Sequence, residues 1–209
     1  MRGLKRSVRQ MESSFSSQLD RRDTLLKESR DVISSCSRAI ISVHGGKLRE
    51  AEAELAAAGK LLSKLKKAGA GSLARYLVSP EAEYVEASAV VSLSKGREIP
   101  PIGSLGASPE AYLLGLLDTV GELKRLVLDS LMRNRLAKAK RYFAVMEDIY
   151  SACSPLAVYD HVANGARRKI DVARILIEDT RGVLAEEARR EAANAAMAHL
   201  EKRLDASRA

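Results

Sequence analysis

Apolar residues recur at helical intervals along nearly the whole chain, and no stretch shows the strict alternation of apolar and polar residues that is typical of a strand. In residues 5–44 the apolar positions are spaced three or four apart, and the same spacing continues in residues 47–67. The predicted buried positions are Leu25, Val32, Ile33, Cys36, Ile40 and Val43 in the first helix and Leu48, Ala51, Leu55, Ala58, Leu62 and Leu65 in the second. The pattern predicts an all-α protein.

Glycine and proline divide this pattern into about seven helices. Gly45-Gly46 ends the first helix, and the segment at residues 69–71 ends the second. A third helix is predicted over 72–94, with Pro80 starting or kinking a turn, and residues 96–107 are predicted to be irregular. Ser108-Pro109 suits a helix start, because serine caps helices and proline favours their first position.

The remaining sequence predicts further helices, a single domain and self-association. Helices are expected from residue 109 to about 131, from 134 to 153 and from 167 to 204, with a short helical piece near 158–162. The tail from residue 186 onward is expected either to be exposed or to mediate assembly. We expect one domain over residues 1–209, a seven-helix bundle. Long helices in a small domain often pack against copies of themselves, so an oligomer is predicted.

Charge is distributed unevenly along the chain, whose net charge is +8. Residues 1–75 contain 16 Lys and Arg against 8 Asp and Glu, residues 76–131 contain 4 against 8, and residues 132–209 contain 15 against 11. An acidic centre between basic segments fits metal-dependent cleavage of a polyanion. The two cysteines have no metal-binding spacing and predict reduced thiols, and no apolar run predicts a membrane span. A cytoplasmic protein without a membrane partner is expected.

Two carboxylate pairs lie in the acidic centre at helical spacing. Glu83 and Glu86 are three residues apart, and Asp118 and Glu122 are four apart, so each pair shares one helix face. Only Glu122 has a basic residue three or four positions away, Arg125. Carboxylates without cationic neighbours favour a divalent metal, Mg²⁺ or Mn²⁺. The alternative is that both pairs belong to solvated helix faces, with Asp118 and Glu122 in a small and polar stripe that includes Ala111 and Gly115.

Basic side chains suggest how a nucleic acid would bind. Lys27, Arg30 and Arg38 share a face of the first helix, and Arg125 lies one turn beyond Glu122. Because aromatic residues make up only 4% of the chain, we expect a nucleic acid to be held through its backbone with weak sequence preference.

Three blocks of sequence resemble the translin/TRAX family. They are the segments at residues 22–44, at 111–125 (Ala-Tyr-Leu-Leu-Gly-Leu-Leu-Asp-Thr-Val-Gly-Glu-Leu-Lys-Arg) and at 167–174. The segment Glu83-Tyr84-Val85-Glu86-Ala87 is similar to the metal-binding segment of TRAX, the catalytic type, whereas translin-type chains have a basic residue at the position of Glu83.

The resemblance implies a seven-helix fold of translin type, a hollow octamer and a metal-dependent endoribonuclease. It implies that Glu83, Glu86 and Asp118 are metal ligands; helical geometry adds Glu122 as a further ligand or outer base. The predicted partner is RNA, single-stranded or duplex, and single-stranded DNA is a further candidate. The short loop at residues 96–107 suggests a chain that assembles with itself, although a shared octamer with a translin-like chain stays open.

Three other functions are alternatives for this sequence. A non-catalytic translin-like protein would bind single-stranded DNA or RNA without cutting it. An all-helical Mg²⁺-dependent nucleoside triphosphate pyrophosphohydrolase also places paired acids on helices, but that class has E-x-x-E followed by E-x-x-D, which the spacing of Asp118 and Glu122 does not match. A helical adaptor without chemistry leaves the acidic pairs unexplained.

Overall fold

The computed structural model describes residues 2–69 and 71–208, and this part of the chain is helical without strands. The seven α-helices are α1 (Arg2–His44), α2 (Leu48–Ala68), α3 (Val78–Ser94), α4 (Ile102–Leu105), α5 (Pro109–Met132), α6 (Leu136–Cys153) and α7 (Ala166–Arg208). Two 3₁₀ segments, Gly71–Leu77 and Ser154–Tyr159, precede α3 and follow α6. The predicted all-α class with seven helices is confirmed.

Two compact units make up the chain, Met1–Leu116 and Leu117–Ala209, and the boundary falls within α5. The prediction of a single domain over 1–209 stays a prediction. No helix in the described residues is long and apolar enough to cross a membrane.

The first unit is built on α1, α2 and α3, which pack against one another. Their buried residues are Leu25, Val32, Cys36, Ala39 and Val43 in α1, Ala51, Ala58, Leu62 and Leu65 in α2, and Val85, Ala89 and Val90 in α3. Most predicted positions are among them, but Ile33, Leu48 and Leu55 are only half-buried. Burying such faces is the main driving force for helix packing. Most side chains from residue 3 to residue 21 of α1 are exposed, so the core of this unit begins near Leu25.

The second unit contains the end of α5 with α6, the second 3₁₀ segment and α7. Its core residues are Val120, Leu123, Val127, Met146, Ile149, Ile170, Ala173 and Ile177. Residues 189–207 of α7 are exposed, as predicted for the tail.

Local signals explain the helix ends near α5. The Ala111 backbone N–H donates to Ser108 Oγ at 3.3 Å, which confirms the predicted cap. The prediction that residues 96–107 are irregular was only partly correct, because residues 102–105 form one helical turn. Pro101 precedes this turn as its N-cap with a φ of −67°, and Gly106 ends it in the left-handed region with a φ of 60°.

Candidate functional site

The segment that carries Glu83 and Glu86 lies in the middle of α3, and both side chains are half-buried. Neither carboxylate is without an interaction in the folded chain. Their charges are felt by Cys36 of α1: burial raises the pKa of this thiol to about 12, and Glu83 and Glu86 contribute to the same shift. The two carboxylates therefore lie near enough to Cys36 for their charges to act on it, and this thiol stays protonated at neutral pH.

Glu81, which the sequence did not single out, anchors the start of this segment. Its side chain is only 5% exposed, and Lys66 Nζ of α2 lies 3.0 Å from its Oε1. Its Oε2 accepts a hydrogen bond of 2.7 Å from the backbone N–H of Ser108, next to the start of α5. A buried carboxylate with two such partners ties α3 to α2 and to the α5 cap. Lys66 is 15 residues before Glu81, so no local spacing rule could reveal this pair.

Two glycines leave room for the same segment of α3. A Cβ at Gly59 of α2 would lie 2.8 Å from the Tyr84 hydroxyl oxygen. A Cβ at Gly115 of α5 would lie 2.8 Å from Val85 Cβ and would also collide with the carbonyl oxygen of Ala82. Gly115 therefore allows a close approach to the backbone of α3 that an alanine would prevent, and Gly59 leaves room for the Tyr84 hydroxyl. Both glycines and Glu81 thus contribute to the packing of α3 within the first unit.

Gly115 belongs to the small and polar stripe of α5, for which the sequence left open a functional role or a solvated helix face. Ala111 and Gly115 are buried, so the first half of this stripe packs inside the first unit and is not a solvated face. Gly121, one further turn and a half along α5, differs. The nearest atom to a Cβ there would be Leu176 Cδ1 at 4.0 Å, so close packing explains Gly115 but not Gly121.

Asp118 and Glu122 lie in the second unit, on the later part of α5, and both are half-buried. Lys169 of α7 forms an ion pair with Asp118 Oδ1 and donates a hydrogen bond to it. Arg125 Nη1 lies 4.0 Å from Glu122 Oε2, as the i,i+3 spacing predicted. The inference that Asp118 lacks a cationic neighbour was therefore wrong, because its lysine comes from a helix about fifty residues later.

The chemistry of these side chains suits a hard divalent cation. Carboxylate oxygens are the ligands that Mg²⁺ and Mn²⁺ prefer, and each pair is partly shielded from water. At Asp118 the Lys169 ammonium shows that the carboxylate already accommodates a positive charge. Among the described residues, no group of three or more His, Cys, Asp and Glu side chains is arranged to hold a metal ion.

The predicted nucleic-acid residues differ in their surroundings. Lys27 and Arg30 are exposed on α1. The Arg38 guanidinium is engaged: it donates to Ser34 and Ser35 hydroxyls and to Glu54 Oε2, each within 2.9 Å. Arg125 is 56% exposed. Lys27, Arg30 and Arg125 are therefore better placed than Arg38 to meet a polyanion.

Comparison with known proteins assigns the family. The model of the Translin family matches residues 82–178. The uncharacterized protein MJ0175 of Methanocaldococcus jannaschii is 33% identical over 166 residues, which is 77% of this chain and 73% of that protein. This chain belongs to the translin family. The matched range begins just before Glu83 and ends within α7, so it contains both carboxylate pairs and Lys169.

Solved structures of translin-type assemblies agree with this assignment. The chain is similar to the crystal structure of AfC3PO, with 30% identity, a TM-score of 0.78, and coverage of 87% of this chain and 97% of that one. It is also similar to a complex of AfC3PO with duplex RNA, with 29% identity, a TM-score of 0.77, and coverage of 87% and 96%. Apo-NeC3PO has a TM-score of 0.75 at 19% identity, covers 86% and 96%, and shows the fold alone.

Proposed function

We propose that this protein is a TRAX-like, metal-dependent endoribonuclease that hydrolyses phosphodiester bonds in RNA. The observation that carries the proposal is the half-buried pair Glu83 and Glu86 on a segment of α3 that Glu81, Gly59 and Gly115 hold in place. Rigid support of this kind is expected around side chains that must be held in position for catalysis. The likeness to a C3PO–duplex RNA complex supports RNA as the substrate.

Four carboxylates would supply the metal ligands under this proposal. The resemblance to TRAX assigns Glu83, Glu86 and Asp118 to a Mg²⁺ or Mn²⁺ ion, with Glu122 as a further ligand or as an outer base; the described residues contain no ready-made group of three such ligands. The bound cation would activate water and offset the charge that develops on the phosphate. Lys169 would have to release Asp118 when the cation binds, and its ammonium would then be available for a phosphate oxygen.

The remaining assigned residues would hold the RNA backbone. Lys27 and Arg30 present exposed positive charge along α1, and Arg125 presents it next to Glu122. Arg38 is proposed as a weaker contact to the RNA backbone, since Glu54 already neutralises its charge. Contacts of this kind bind RNA with little regard to sequence.

We propose that the protein works as an oligomer, either a homo-octamer or an octamer shared with a translin-like chain. The similarity to C3PO structures supports an assembly. So do apolar side chains on the exposed ends of the long helices, because such rows usually pack against another surface. They are Leu4, Val8, Met11 and Phe15 in α1 and Met197, Leu200 and Leu204 in α7, each 47% exposed or more.

One observation favours a second function, binding of single-stranded RNA or DNA without cleavage. The ion pair between Asp118 and Lys169 satisfies that carboxylate without a metal. A translin-like binding protein would keep this pair and would not cut.

The decisive experiment compares cleavage with binding in matched variants. Labelled single-stranded and duplex RNA would be incubated with the purified protein in Mg²⁺, Mn²⁺ or EDTA. Glu86→Gln and Asp118→Asn keep the side-chain shapes, and Glu98→Gln changes an exposed carboxylate of the same chain as a control. We expect metal-dependent cutting by the wild type and the control, and loss of at least a hundredfold in the other two with RNA binding retained. RNA binding without cutting in any metal would instead establish the binding function.

A further inference from the structure

Three side chains near the start of the core of α1 form a cluster that the carboxylate site does not use. Arg22 Nε donates a hydrogen bond of 3.2 Å to the hydroxyl oxygen of Tyr76, and Arg75 Nη2 donates one of 3.0 Å to the same atom. The two guanidinium carbons lie 5.5 and 4.9 Å from the centre of the Tyr76 ring. Two cations thus converge on one neutral phenol. We call this group the Tyr76 cluster.

The Tyr76 cluster carries more positive charge than its neighbours neutralise. Asp23 pairs with Arg22 at 2.9 Å, but it is 63% exposed and follows Arg22 directly in sequence. Within the described residues, no carboxylate forms a salt bridge with Arg75. The hydrogen bonds from Arg75 and Arg22 lower the pKa of Tyr76, because they stabilise the phenolate, and the two positive charges add to the same shift.

Such an arrangement favours an anion with several oxygen acceptors. A guanidinium presents five donors in a planar fork, and a phenol oxygen satisfies only one donor of each arginine. Two like charges held close together repel, and a bound anion relieves that repulsion. The tyrosine ring keeps both guanidinium planes in place, so less side-chain entropy is lost when the anion binds.

The distance from the cluster to the acidic pair can be estimated along α1. Arg22 and Cys36 are 14 residues apart, which is about 21 Å at about 1.5 Å per residue, and two heptads keep them close to the same helix face. Cys36 marks the acidic pair, since it feels the charges of Glu83 and Glu86.

We propose that Arg22, Arg75 and Tyr76 bind a backbone phosphate of RNA about 21 Å along α1 from the acidic pair, away from the phosphate that is cut. This inference rests on the proposed function for its distance, but not for the binding itself. The 16 basic residues of positions 1–75 favour a long polyanion as the ligand. The cluster would hold the RNA in register while the carboxylates act elsewhere on the same strand.

Binding of a labelled 20-nucleotide RNA in EDTA, followed by fluorescence anisotropy over a range of salt concentrations, tests this proposal without any cleavage. The variants are the double substitution R22A/R75A and Tyr76→Phe, and Arg49→Ala removes an exposed arginine of α2 as a matched control. We expect the double variant to bind about tenfold more weakly at physiological salt and to reduce the slope of log K against log salt by about 0.7 for each lost contact. Tyr76→Phe should show a smaller loss, since the ring remains, and the control should stay within about twofold of the wild type.

Cleavage provides the second readout. At saturating RNA the double variant should keep the wild-type kcat and raise KM, and its KM defect should disappear for RNAs too short to reach from the cut to the cluster. Unchanged RNA affinity in a folded double variant would overturn the proposal even if Glu86→Gln abolished cutting. A wild-type protein that binds no RNA would overturn both proposals. Inorganic phosphate could instead stabilise the wild-type protein but not the double variant, while both bind RNA equally well. That result would assign the cluster to a free anion and would also overturn the inference.

Discussion

Gly115 offers a direct test of how α3 is held. The carbonyl oxygen of Ala82 and the side chain of Val85 occupy the place where a Cβ would stand. In Gly115→Ala, the new methyl group would lie 2.8 Å from Val85 Cβ, which is closer than real Cβ atoms come to their neighbours. Because one of the obstructing atoms belongs to the backbone, a change of side-chain rotamer cannot relieve the contact, and α3 has to shift.

The magnitude follows from two opposing terms. Forcing an extra methyl group into a packed interior costs roughly 1–3 kcal/mol, and the obstructing backbone places this site toward the upper end. Replacing glycine by alanine inside a helix returns about 1 kcal/mol. We therefore expect Gly115→Ala to lower the free energy of unfolding by about 1–2 kcal/mol.

Gly121→Ala is the matched control on the same helix. The nearest atom to its new Cβ would be Leu176 Cδ1 at 4.0 Å, an ordinary contact. Only the helix-propensity term applies, so this variant should gain about 0.5–1 kcal/mol. For a chain of this size the two variants should differ in Tm by roughly 5–10 °C. Urea and thermal unfolding, followed by circular dichroism, would measure the free energy of unfolding and the Tm of each variant. A Gly115→Ala protein as stable as Gly121→Ala would refute the close approach.

Three further predictions concern other contacts. Glu81→Gln leaves the Lys66 ammonium without its anion and should cost about 1–3 kcal/mol of stability, measured by urea unfolding; an unchanged midpoint would show that Glu81 does not anchor α3. Lys169→Met removes the cation that competes for Asp118, so half-saturation by Mn²⁺ should need less metal in a binding titration. The free energy of unfolding should change by less than about 1 kcal/mol, because the ion pair is about a third exposed. Weaker Mn²⁺ binding by this variant would contradict the competition. Tyr76 should ionise at lower pH than an ordinary tyrosine, because the phenolate gains from its two arginines; the difference titration at 295 nm against Tyr76→Phe would measure it, and substitution of both arginines should raise that pKa again.

Local chemistry explains the elements that the sequence predicted well. The break at Gly45-Gly46, the cap at Ser108 and the buried stripes of α1 and α2 depend on residues within a few positions of one another, and such short-range rules can be read from one chain. The turn at Ile102–Leu105 was missed because proline both ends a preceding helix and favours the first turn of a new one.

The candidate site likewise has features that the sequence predicted and features that it did not. The spacing of Glu83 and Glu86 placed both carboxylates on one helix, and α3 has them there half-buried. Whether Asp118 had a cationic partner was not decided by its neighbours in sequence, because Lys169 reaches it from α7. The assignments of metal, catalysis and RNA contacts to named residues stay predictions.

The sequence by itself determined the helical class, most helix boundaries, the family and the carboxylate pairs, because each depends on residue type and short-range spacing. Only the tertiary structure decided which charges neutralise one another and which glycines permit close packing. Glu81 meets Lys66, and Arg22 and Arg75 meet at Tyr76, across separations of 15 and 53 residues along the chain. Such contacts depend on how whole helices pack, so the local pattern around each residue carries no record of its partner.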